Sequence, residues 1–225
     1  MKALRTKICT YAIALLVSIG FVTPTLAGSS DFSGIWVAGH AELNVVAIDG
    51  THTQTTDSEE VGQGVIGGFA PTAGWEAGFN FPVGDTFFIT VGYADGGGDS
   101  AAIAKFDDSA GVADVTLHAS DPHWFYIAPS ISIFDNSAVY FKIGQADISL
   151  KAAGDLTGSA PDSLDGKMYG IGTTTIASNG LFFKTEAGAV LYDEFKITGL
   201  AGDANTVVEG EPVVGYGHIS IGYKF

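Results

Sequence analysis

Residues 213–225 read VVGYGHISIGYKF. Counting back from the end, Phe225, Tyr223, Ile221 and Ile219 are apolar, and Lys224, Gly222, Ser220 and His218 between them are polar or small. A period of two residues is the pattern of a strand with one apolar face and one wet face. An aromatic residue closing such a strand is an odd end for a soluble domain and a fitting one where the apolar side meets lipid.

The same alternation recurs along the chain. It predicts strands at 34–46, 64–81, 87–93, 123–134, 139–144, 167–177, 181–192 and 213–225, eight in all. On the first, Ile35, Val37, Leu43 and Val45 oppose Trp36, His40, Glu42 and Asn44. The sixth carries the weakest pattern, because Thr173 to Thr175 blur it. Pro82 to Asp85, Asp135-Asn136 and Asn179-Gly180 mark tight turns, the last a strong two-residue hairpin signal. The other connections, about 49–63, 95–121, 148–165 and 196–212, are long and acidic, with Asp57, Asp99, Asp108, Asp155 and Asp203 among their carboxylates. Connections that alternate long and short around an even number of strands are those of a membrane barrel, with tight turns on the periplasmic side and long loops outside. The expected fold is therefore an all-β, eight-stranded, antiparallel transmembrane up-and-down β-barrel. An interior of that size is filled by side chains.

The N-terminus supports export. Lys2, Arg5 and Lys7 precede a largely apolar run, and Thr25-Leu26-Ala27 before Gly28 suits cleavage, so residues 1–27 are read as a signal peptide and 28–225 as the barrel. As a retained anchor the run is short of the roughly 20 residues a helical span needs. Cys9 leaves with the leader, and the remainder has 7 basic residues, none of them arginine, against 25 acidic ones, a net charge of −18. Such a chain does not bind nucleic acid through phosphates, which requires clustered bases. Hydrophobic content of 46% with 31 glycines and no long apolar run excludes a helical membrane protein.

One face of the predicted strands is rich in Ile, Val, Leu, Ala and aromatics. Phe79, Phe81, Phe87, Phe125, Phe183, Tyr223 and Phe225 are expected to form an aromatic girdle near the tight turns. The other face carries Glu42, Glu76 and Glu186 against Lys142, Lys184 and Lys224, with His40 and His218 nearby. Charges in a narrow interior must pair, so these eight residues are expected to form a polar network that plugs the barrel; a gated ion path is the alternative. The acidic connections suit a solvated outer surface, and Asp95 to Asp99 lacks the ligand spacing of a calcium loop, so no metal or cofactor site is assigned.

The closing strand with Phe225 resembles the C-terminal signature of bacterial outer-membrane β-barrels, and the architecture is similar to the small superfamily of opacity-type and outer membrane protein A and X-like barrels. The resemblance implies that Ile219, Ile221, Tyr223 and Phe225 are read by the outer-membrane assembly machinery. It also implies contact with outer-membrane lipids and lipopolysaccharide, and a structural, surface-interaction or adhesion role with an extracellular ligand held by the loops. A narrow small-solute channel is the runner-up. The pair His218 and Ser220 is similar to the His-x-Ser pair of outer-membrane lipid A deacylases, but it shares the polar face with Lys224 rather than facing lipid, so no catalytic role is expected. A soluble lipocalin-type barrel would turn the apolar face inwards and leave the charges outside.

Overall fold

The computed structural model describes residues 28–54, 59–98, 101–107, 114–154, 158–199 and 206–225. The leader read at 1–27, with Cys9, and the acids Asp57, Asp99, Asp108, Asp155 and Asp203 lie outside them.

Residues 29–32 form one 3-10 turn, and ten strands follow: β1 (Gly34–Gln54), β2 (Glu59–Val83), β3 (Phe87–Asp95), β4 (Ala101–Asp107), β5 (Asp114–Phe134), β6 (Ser137–Gly154), β7 (Ser163–Ile176), β8 (Leu181–Tyr192), β9 (Phe195–Thr198) and β10 (Thr206–Lys224). Eight of them close a ring, β1-β2-β3-β5-β6-β7-β8-β10, with β10 paired back to β1. All the pairs are antiparallel. Stepping across paired residues from Ile35 leads through Phe79, Val91, Ile127, Ile143, Tyr169, Ala189 and Gly215 to Val45, ten residues further up β1. That stagger tilts the strands by about 40° from the barrel axis.

The faces sort as the alternation requires. Ile35, Val37, Leu43 and Val45 are exposed, and Trp36, Ala38, His40 and Glu42 are buried. Phe79, Phe81, Phe87, Ile89, Phe141, Ile171, Phe183, Ile219, Ile221 and Phe225 also stand on the outside. Exposed apolar side chains all round a closed sheet, over a buried polar interior, are stable only if the solvent outside is lipid. A soluble barrel of the opposite sense is ruled out by the same residues.

Three expectations need correction. The long connections are largely strand: β1 and β2 pair up to Gln54 with Glu59, β4 pairs the upper part of β5, and β9 pairs β10. These extensions lie above the lipid, where a wall needs no apolar exterior, so their glycine-rich and acidic sequence carries no alternation to read. The sixth strand is regular, with β7 paired to β6 and β8 throughout, because threonine suits a strand whatever its outward polarity. Phe125 is not in the lower girdle. It pairs with Tyr93, six residues up β3 from Phe87, which sets it about 15 Å higher. There it joins Trp75, whose ring is 5.5 Å from Tyr93, in a second aromatic group where the apolar band ends.

The 3-10 turn closes the lower mouth. Ser29 donates from its amide to Asp85 O at 2.7 Å and from Oγ to Gly84 O at 2.5 Å. Asn80 Nδ2 donates to Phe32 O at 2.7 Å, and the Phe32 ring stacks on Phe88 at 5.0 Å. Phe32 is 2% exposed, so Phe32→Ala is expected to lower stability by about 3–5 kcal/mol. A urea titration in lipid vesicles measures it, and a loss below about 1 kcal/mol would show that the turn only rests on the mouth.

Candidate functional site: the polar layer across the lumen

Halfway up the barrel the inward side chains change from apolar to charged. Inward positions on six strands supply the layer: His40 and Glu42 from β1, Glu76 from β2, Trp124 and Tyr126 from β5, Tyr140 and Lys142 from β6, Lys184 and Glu186 from β8, and Tyr216, His218 and Ser220 from β10. Each lies on the inward parity of its strand, so register alone brings residues far apart in sequence onto one level.

Two carboxylates organise it. Glu76 is fully buried and accepts from Lys184 Nζ on both oxygens at 2.8 Å, from Tyr126 OH at 3.0 Å and from Ser220 Oγ at 2.6 Å. Glu186 accepts from Tyr140 OH and Tyr216 OH at 2.8 Å each, and Lys142 Nζ lies 2.7 Å from its Oε1. Lys142 Nζ is off the hydrogen-bonding direction, so this last pair is held by charge rather than by an aimed bond. The ammonium also sits 4.2 Å from the Tyr126 ring centroid, as that of Lys184 does from Trp36.

His218 joins the third acid to this pair. Its Nδ1 is 3.2 Å from Glu42 Oε2, and its Nε2 is 3.1 Å from Ser220 Oγ and 3.6 Å from Glu76 Oε1. His40 stacks between His218 and Trp124, with ring centroids 4.7 and 5.7 Å away, and neither of its ring nitrogens has a partner. The structure thus brings together seven of the eight residues expected in the network. Lys224 stands apart at the lower mouth, where its Nζ donates to Asp31 O at 2.8 Å. Among these groups, the His218 ring lies between Glu42 and Glu76.

Glu42, His218 and Ser220 are spaced like an orienting acid, a base and a nucleophile. The chemistry stops there. Ser220 donates its hydroxyl hydrogen bond to Glu76, is 1% exposed and faces the filled lumen.

The tyrosines that satisfy the acids were legible only as inward positions. What seats them is glycine. A Cβ on Gly92 or Gly144 would lie within 2.8 Å of Tyr126, one on Gly172 within 2.5 Å of Tyr140, and one on Gly170 or Gly188 within 2.5 Å of Tyr216. Large and small residues alternate inside narrow barrels for this reason. Below the layer a cavity of about 40 Å³ lies among Trp36, Phe88, Tyr140 and Phe182, with Phe32 also in its lining.

No protein-family model and no curated protein sequence matches the chain. Solved structures do. The outer membrane protein AlkL, determined in lipid bilayers, superposes with a TM-score of 0.60 at 15% identity, over 92% of this chain and 95% of that one. The outer membrane protein OprG from Pseudomonas aeruginosa gives 0.54 at 14% identity, over 91% and 99%. The protein has the fold of the small eight-stranded outer-membrane β-barrels. At these identities the likeness fixes the fold of the barrel and leaves its task to its own residues.

Proposed function

We propose that the barrel is a closed, non-catalytic protein of the outer membrane, exported by a leader at residues 1–27, that acts at the cell surface through the wall and acidic connections raised above the lipid. In this reading residues 28–225 are one domain, and the inward network of His40, Glu42, Glu76, Lys142, Lys184, Glu186 and His218 is a structural plug. Ile219, Ile221, Tyr223 and Phe225 serve the assembly machinery, and an extracellular ligand is met by the connections. The observation that carries the reading is Glu76: it has no exposure and is bonded to groups on three other strands, so the lumen is bridged from wall to wall.

Planar bilayers test it. Folded protein is expected to give no conductance steps, in wild type and in Lys142→Met alike. Steps whose size changes on substituting Lys142 or Glu76 would establish the narrow channel instead.

A further inference from the structure

The outer wall over β5, β6 and β7 carries a groove of about 390 Å³ lined by Phe125, Ile127, Ile143, Gln145, Lys167 and Tyr169 among others. Phe125 and Tyr169, 58% and 42% exposed, form its sides. Ile127 pairs with Ile143 along its floor, and Phe125, Gln145 and Lys167 form one row across its upper end. That row is where the apolar exterior stops. The row above it holds His123, Asp147 and Asp165.

We propose that this groove is a binding site for an anionic glycolipid of the outer leaflet, lipid A, with an acyl chain between Phe125 and Tyr169 and a phosphate on Lys167. The proposal rests on the membrane placement above, with the long connections outward. Charge carries it. The other described lysines are used or lie elsewhere: Lys142 and Lys184 point inwards, Lys224 binds Asp31 O, Lys196 binds Glu209 at 2.7 Å, Lys151 stands six residues above Gln145 on β6, and Lys105 on β4 pairs with Thr116, well above Phe125 on β5. Lys167 is exposed at the boundary itself, with no partner among the described residues, in a chain whose charge is strongly negative. A lysine there lays its stem on apolar surface and offers its ammonium to a phosphate at head-group depth. Gln145 adds an amide beside it. Asp147 is 3.8 Å from His123 Nε2, while Asp165 is free to repel an anion that rises above the row.

The test is native mass spectrometry of the barrel extracted from outer membranes in mild detergent, with lipopolysaccharide and phosphatidylglycerol offered in competition. Wild type is expected to retain one lipopolysaccharide in preference to phosphatidylglycerol. Lys167→Glu lowers retention at least about tenfold, Lys167→Arg preserves it, and Asp165→Asn raises it. Ile143→Trp fills the groove at constant charge and lowers retention too, whereas Lys151→Glu leaves it unchanged. Unaltered retention in Lys167→Glu, or equal retention of phosphatidylglycerol, would overturn the site and leave general lipid contact. A heat-dependent gel mobility shift establishes that each variant is folded. If wild type itself lacks that shift or fractionates as a soluble protein, the membrane placement falls, and the site with it.

Discussion

Glu76→Ala is expected to lower the stability of the folded barrel by about 3–5 kcal/mol, because it removes one partner of a buried ion pair and leaves the other charged in a dry interior. Lys184 Nζ loses both its carboxylate bonds, Ser220 Oγ its acceptor, and Tyr126 OH its own. No water column reaches these groups, since Glu76 has no exposure and Ser220 only 1%. Glu76→Gln keeps the volume and one oxygen acceptor, so it is expected to cost less, while the double change Glu76→Leu with Lys184→Met recovers most of the loss by leaving no unpaired charge. Urea titrations in lipid vesicles, followed by tryptophan emission and by gel mobility, compare the four proteins. A Glu76→Ala loss below about 1 kcal/mol would mean that the layer is wet and the lumen open.

The second large effect is steric. A Cβ on Gly188 would lie 2.2 Å from Tyr169 O and 2.5 Å from the Tyr216 hydroxyl. The first of these is backbone of the paired strand and cannot swing away, and the second is the group that holds Glu186. Gly188→Val therefore forces β7 and β8 apart at a level where the wall must be continuous. Overpacking usually costs about 1–3 kcal/mol, and here a ladder hydrogen bond and the Tyr216 donor to buried Glu186 are lost besides. The expected result is a protein that no longer gives the folded gel band. Gly217→Ala, on β10 beside Ala187 of β8 with nothing within 4 Å of its added carbon, is the control expected to fold as wild type. Equal folding of Gly188→Val would show that Tyr216 moves freely and does not anchor Glu186.

How much of this could be read beforehand depends on what lies on either side of each strand. Where one face meets lipid and the other the lumen, the alternation is a direct record of the two environments, so Ile35 to Glu42 and Ile219 to Phe225 told inside from outside correctly. Above the lipid that contrast vanishes. Residues 59–63 and 206–211 pair as strands but read as loops, because their sequence carries no alternation. The candidate network shows the same limit. Parity placed Glu76, Lys184 and Glu186 inwards, but not which partner each would meet, since that depends on the ten-residue stagger around the ring. Lys224 shares their parity yet lies at the mouth, because it is the last residue of β10. The stopper formed by Ser29 to Phe32 left no periodic trace, being a single turn.

Lys224 at the end of β10 and Phe225 after it meet the chain at that stopper and just beyond it. Phe225 N donates to Ile35 O, Lys224 reaches Asp31, and Ser29 is tied to the turn beside them. The wall thus has no open edge at its seam: the last strand is latched to the first at the lower rim, where a strand of another chain could otherwise add.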